Sequence, residues 1–404
     1  MEPTWRLGAR ALRYTVLPSA DRRRTLLLLS AAELLGMSVW FSASALAPHF
    51  RAVWGLSVAE AGWLTTIVQL GFVAGTATAA ILNLADLVPS RPYFALSALA
   101  AAACNAALLG AGGFGPALVL RFGTGFFLAG VYPPAMKMIS TWYKDGRGFA
   151  IGTIVGALTV GKATPYLVHG LGSPTMAGVV VTTSLAAASG GVLVLAWYHD
   201  GPHSFERRPF AWDLVGAVWR GRESRLAIFG YLGHMWELYA MWTWIAAFLA
   251  AGAGLSPRGA DVSGFAAIAA GGIGCVAGGK LADRVGRERL TIWSMMLSGA
   301  CAAIIGLVAA SPRVAVAIAI VWGLAVVADS AQFSALVTEL APPHAVGTAL
   351  TLQTSLGFLL TMVSIQLVPR LADALGWRWA FVVLAGGPAL GILAMGRLRR
   401  LRGL

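Results

Sequence analysis

Repeated runs of about twenty apolar residues, separated by short polar joints, restrict this chain to one kind of fold. A helix of that length crosses a hydrocarbon layer about 30 Å thick, whereas barrel strands would be half as long and would alternate in polarity. The runs fall at 26–46, 60–82, 93–112, 116–137, 148–169, 175–197, 225–249, 261–282, 290–310, 314–336, 346–368 and 376–396. With 58% hydrophobic and 12% charged residues and a mean hydropathy of +0.73, a soluble globular domain is excluded. The expected fold is an all-α integral membrane protein with twelve transmembrane helices in two pseudo-symmetric six-helix bundles.

The charges give the topology. An even number of crossings puts both termini on one side, and most of the 30 Lys and Arg lie before the first run, in the even-numbered joints or after the last run. The odd joints and the run ends beside them hold Arg51, Arg258, Arg313, Arg370 and Arg378, and only Arg121 and Lys162 fall well inside runs, away from their ends. By the positive-inside rule both termini are cytoplasmic, in a multi-pass cell-membrane protein of which a bacterial inner membrane is the expected host. The net charge of +13 is therefore a topology signal and implies no nucleic-acid partner. Residues 1–24 lack a long apolar core and do not read as a signal peptide. Trp5, Leu7, Leu12 and Tyr14 among the arginines there suit either a membrane surface or a plain tail. Cys104, Cys275 and Cys301 all lie in apolar runs, and the six His are scattered, so no disulfide framework, metal site or cofactor is expected.

The first run, SAAELLGMSVWFSASALAP, carries one carboxylate, Glu33, roughly 13 Å into the layer at a helical rise. An acid at such depth is expensive unless protonated, paired or facing water, so it reads as functional. Glu237, Leu238, Met241, Trp244, Ala247 and Ala251 repeat Glu33, Leu34, Met37, Trp40, Ala43 and Ala47 at a constant offset. Two halves built alike are expected, each opening with a helix that carries an acid toward a shared centre. The division is a segment 1–25, a bundle 26–198, a linker 199–224 with a short amphipathic surface helix, a bundle 225–397 and a tail 398–404.

The joint GKLADRVGRERL at 279–290 resembles the signature of the major facilitator superfamily through Gly279, Asp283, Gly286, Arg287 and Arg289. Asp283 is expected to pair with the arginines after it and to latch one closed state at the cytoplasmic edge. The matching first-half joint keeps Asp86 and Arg91 but lacks both glycines. Arg121 followed by Gly125 resembles the family's fourth-span pattern, in which the arginine is associated with proton coupling. The family's antiporter pattern wants Gly-Pro in span five, where this chain has Gly161-Lys162. The resemblance implies alternating access by rocking of two bundles around a midplane site, moving a small solute without chemical change. No phosphate-binding loop of the nucleotide-hydrolysing kind is present, so an ion gradient is the expected energy source.

Within that frame Glu33, Glu237, His234 and Asp329 are the candidate proton-coupling groups. Arg121, Lys162, Trp40, Trp244 and Gln332 are the candidate substrate contacts, with Gln69 and Gln353 as further buried polar groups. Arg121 is expected to pair with Glu33. Two cations point to a small organic anion, while the acids and tryptophans also suit a cationic or lipophilic drug. A membrane-embedded enzyme would need a clustered nucleophile and base, which the sequence lacks. A non-transporting receptor or scaffold on the same fold stays open. The expected partners are the solute, protons and the lipid bilayer, and the expected state is a monomer.

Overall fold

The computed structural model describes residues 19–144, 146–172, 175–203 and 211–403; at residues 19, 85, 86, 147 and 172 it describes the backbone alone. The tail residues Trp5 to Tyr14 lie outside the described residues, as does the side chain of Asp86. The described chain is helical throughout, as the apolar runs require: with no water in the bilayer, every backbone group must be satisfied within its own segment. Ten segments are long and apolar enough to cross a membrane, from Val58–Ile81 to Trp377–Leu401. The expected first and seventh segments are helical too, but the break after Met37 leaves the first as a short helix that includes Asp21, Arg22, Arg23, Arg24 and Glu33, and His234, Glu237 and the neighbouring aromatics dilute the other.

Among the described residues, three segments are interrupted by turns of three or four residues, which the hydropathy pattern does not reveal. The first runs as Ser19–Met37, turns at 38–41 and resumes in Ser42–Ala45 and Ala47–Trp54. The fourth runs as Phe114–Leu128 and Tyr132–Ser140, and the tenth as Pro312–Val326 and Ser330–Leu340. The breaks in segments four and ten fall at matching places in the two halves. They are closed by turn hydrogen bonds, such as those from the Gly130 N–H to the Phe127 carbonyl and from the Ser330 N–H to the Val327 carbonyl, whereas the break in segment one calls on side-chain donors for its carbonyls.

Segments five and eight pack together, as do two and eleven, and these two contacts form the seam between the halves. Segment four lies on segment two so closely that a Cβ on Gly125 would stand 2.1 Å from the Val68 carbonyl oxygen. Gly161 approaches segment one in the same way, 2.2 Å from the Leu34 carbonyl oxygen. Only glycine permits either approach, and each seats a neighbouring cation, Arg121 or Lys162, in the interior.

Tyr143 donates to the Arg22 carbonyl at 3.1 Å, Arg402 pairs with Glu288, and Gly148 lies beside Asp283. Both chain ends, the joint after segment four and the signature joint therefore share one end of the bundle, called the termini end below. The linker helix Trp212–Arg220 lies on the second half through the Ala211 amide, which donates to Thr348 Oγ1 at 3.0 Å, and it leaves Trp212 and Trp219 exposed.

Candidate substrate and proton site

The turn at 38–41 is where the centre is made. Segment one stops at Met37 and its last carbonyls would point into apolar surroundings, but Arg121, itself fully buried, reaches them from segment four. Its Nη1 donates to the Val39 carbonyl at 2.9 Å, to Ser42 Oγ at 3.1 Å and to Asn105 Oδ1 at 3.3 Å. Nη2 donates to the Trp40 carbonyl, and Nε to the Leu64 carbonyl at 3.3 Å. A guanidinium at the end of a helix also meets the negative end of its dipole. Asn105 is fixed in turn by Thr183 and Ser184.

Held this way, Trp40 turns its ring under Lys162. The ammonium lies 3.7 Å from the Trp40 ring centroid, 4.7 Å from that of Tyr239 and 5.7 Å from that of Trp242, and it donates to Tyr239 Oη at 2.5 Å. Lys162 belongs to segment five, and Tyr239 and Trp242 to segment seven, so this cation sits on the seam. Phe72 and Phe358 extend the cluster, with ring centroids 5.3 and 6.0 Å from Trp40. Cation–π contact replaces part of the lost hydration, but an ammonium has three donors and only one finds an oxygen here.

Glu33 is buried one turn below the break, and neither of its oxygens has a hydrogen-bond partner. The charge that acts on it is Lys162, with Tyr132 also in electrostatic range. A buried acid and a buried base therefore share the centre of a membrane-spanning bundle, and the family profile of the Major Facilitator Superfamily matches residues 28–365.

The chain belongs to the Major Facilitator Superfamily. The facilitator fold is equally plain in three dimensions. A bacterial homolog of the human lysosomal transporter Spinster, inward-facing and unoccupied, aligns with a TM-score of 0.71 at 17% identity, covering 95% of this chain and 98% of the other. A variant of the nucleoside transporter NupG aligns with a TM-score of 0.72 at 14% identity, covering 93% and 99%. No curated protein matches.

Several expected site residues of this facilitator lie elsewhere. Arg121 does not pair with Glu33: its donors are taken by the broken turn and by Leu64, so it is neither a free substrate contact nor the partner of the acid. Trp244 is not the counterpart of Trp40. Its Nε1 donates to the Ile365 carbonyl at 2.8 Å and its ring abuts Gly62, because segment seven runs unbroken to Ala247 where segment one breaks at Ser38. Tyr239 and Trp242 take the expected place of Trp244. Gln332 is drawn to the termini end, where it accepts from Arg287 at 2.6 Å.

The second-half acids form their own cluster. Glu237 accepts from Ser298 Oγ at 2.7 Å and Trp322 Nε1 at 2.6 Å, within segments nine and ten. His234 Nδ1 stands 2.9 Å from Asp329 Oδ1, at the break in segment ten. In the signature joint, Arg287 pairs with Glu339 at 2.9 Å, in place of the expected Asp283. Gly286 (φ 90°) makes the reversal, Gly279 and Asp283 face Gly148 of segment five, and Arg289 is exposed. Arg91 donates to the Leu195 carbonyl at 2.7 Å, tying segment three to segment six.

One contact, at the end opposite the termini, has no signal in the sequence. His169 Nδ1 lies 2.7 Å from Asp261 Oδ2, joining the π-helical turn Val168–Gly172 to the start of segment eight across the seam. Gln366 Nε2, donating to Thr66 Oγ1 at 2.9 Å, closes the other side of the same end. A partly exposed pair of this kind contributes about 1 kcal/mol, so Asp261→Asn is expected to raise the open fraction at this end roughly fivefold. Spin labels at Arg51 and Arg313, in a background without Cys104, Cys275 and Cys301, report this as a new longer distance. An unchanged distribution would assign the closure to the Thr66–Gln366 side alone.

Proposed function

We propose that this facilitator is a proton-coupled secondary transporter of a small organic anion, with Lys162 as the anion contact and Glu33 as the coupling acid. The observation that carries this reading is the Lys162 ammonium on the seam, surrounded by rings and acted on by one unpartnered carboxylate. With Arg121 engaged by backbone carbonyls, Lys162 is the cation at the centre that an anion can claim.

Charge balance sets the order of events. Arg121 keeps its charge against the turn carbonyls in every state, and of the groups whose charge changes, ionised Glu33 and protonated Lys162 cancel in the empty centre. An anion added to it leaves one uncompensated charge in low dielectric, which costs several kcal/mol. An anion that arrives with a proton on Glu33 restores neutrality, so proton and monoanion move together. Reorientation then follows the rocking of the two halves along segments five and eight, two and eleven. Glu237, with His234 and Asp329, serves as a second proton-carrying group in the other half. The basic termini end faces the cytoplasm under the positive-inside rule, and the working unit is a single chain.

The test is thermal stabilisation of detergent-purified protein by a panel of organic anions and organic cations, since a ligand that binds only the native state raises its apparent stability. Anions are expected to stabilise it, and Lys162→Ala to lose the shift through at least a tenfold weaker Kd. The same box of rings suits a cation. Stabilisation by cations that survives Lys162→Ala would replace this reading with export of cationic drugs.

A further inference from the structure

Segment two presents Gly62, Thr66, Gln69 and Phe72 at helical spacing along one stripe. The stripe faces the seam over its whole length. Gly62 lies against Trp244 and Gln366, Thr66 Oγ1 accepts from Gln366, and Phe72 meets Trp40 at 5.3 Å and Phe358 at 4.7 Å. Gln69 sits between those contacts, one turn from Phe72. It is fully buried, and neither its amide oxygen nor its amide nitrogen has a partner. Nearby on the same seam, Trp40 Nε1 and Gln366 Oε1 are unpartnered as well.

An unpaired buried amide costs about 1–3 kcal/mol per group, and Leu or Met of similar size would fill the same space without that cost. Stability alone does not select glutamine at this position. Gln69 offers one acceptor and two donors with no formal charge, two rings away from the Lys162 ammonium through Phe72 and Trp40. We infer that Gln69 receives an uncharged hydrogen-bonding group of the solute, at the end of a planar body whose anionic head lies on Lys162. The transported class is then a conjugated or aromatic monoanion bearing an amide, hydroxyl or carbonyl group away from its carboxylate. A second charge at that end is rejected, because Gln69 and the Trp40 indole supply no opposite charge to meet it.

This inference rests on the anion reading above, and four probes separate the two. Benzoate tests the anionic head alone, 3- and 4-carbamoylbenzoate add the polar group, and terephthalate adds a second charge. In native protein one carbamoyl isomer is expected to bind about tenfold more tightly than benzoate, and terephthalate more weakly than either. Gln69→Leu is expected to keep benzoate affinity within about twofold and to erase the carbamoyl advantage; Gln69→Met repeats the test should the leucine variant fold poorly. Lys162→Ala loses all the probes. Equal binding of benzoate and both carbamoyl isomers to native protein, or an advantage that survives both Gln69 variants, overturns the Gln69 assignment and leaves the anion reading intact. Failure of every anion to bind native protein overturns both.

Discussion

Replacing Arg121 with methionine lowers the apparent melting temperature of the purified facilitator by about 5 °C or more, because several buried acceptors lose their donor at once. The Val39, Trp40 and Leu64 carbonyls and the Ser42 and Asn105 oxygens all take hydrogen bonds from this one side chain. Each buried acceptor left unmade costs about 1–3 kcal/mol, partly offset because a buried charge is also removed. Arg121→Lys recovers only part of the loss: an ammonium has three donors on a single atom and cannot span the turn as a planar fork does. Binding at Lys162 should fall in the same variants, since Trp40 loses its seat. A group that served only proton coupling would leave the melting temperature unmoved and change the pH profile of transport. Unaltered melting of Arg121→Met would therefore return this residue to a coupling role.

The sequence made the crossings legible because hydropathy reports directly on the cost of putting backbone and side chains into lipid. It also marked Glu33, Glu237 and Lys162, since a charge inside an apolar run stands out against its neighbours. The breaks were not legible. Ser38 to Phe41 contains neither Gly nor Pro, and its turn exists because Arg121, far away in sequence, accepts the role of partner to its carbonyls. The repeat between halves misled for the same reason. It holds from Glu33 to Met37 and fails at Trp40, where one helix ends and its counterpart continues, so Tyr239 and Trp242 occupy the place that the repeat assigned to Trp244. Pro133 and Pro134, just after the break in segment four, were a usable signal; segment ten breaks at the matching place without any. Gln332 stands three residues after Asp329 in the sequence, but the long Arg287 side chain claims it for the joint.

Glu33→Gln is expected to abolish net pH-driven uptake, by at least tenfold, while leaving exchange of labelled for unlabelled solute within a few-fold of native. The glutamine is isosteric and uncharged and costs no hydrogen bond, so what the variant loses is the charge that balances Lys162. Its consequence lies in the charge of the two states that must cross. With solute bound, the Lys162 ammonium and the anion cancel and the loaded carrier reorients as before. Empty, the variant carries Lys162 with no carboxylate beside it, and returning an uncompensated cation through the low-dielectric centre costs several kcal/mol. Exchange needs only the loaded path; net uptake needs both. The test is paired flux in proteoliposomes, one set with a pH gradient and empty lumen, the other preloaded with solute at equal pH. Glu237→Gln is the informative companion. Its amide oxygen still accepts from Trp322 and the Ser298 hydroxyl can turn to accept from its nitrogen, so this variant keeps its fold and does not strand Lys162. If Glu33→Gln lost exchange and net uptake together, Glu33 would be a substrate contact, and the charge-balance cycle would be wrong.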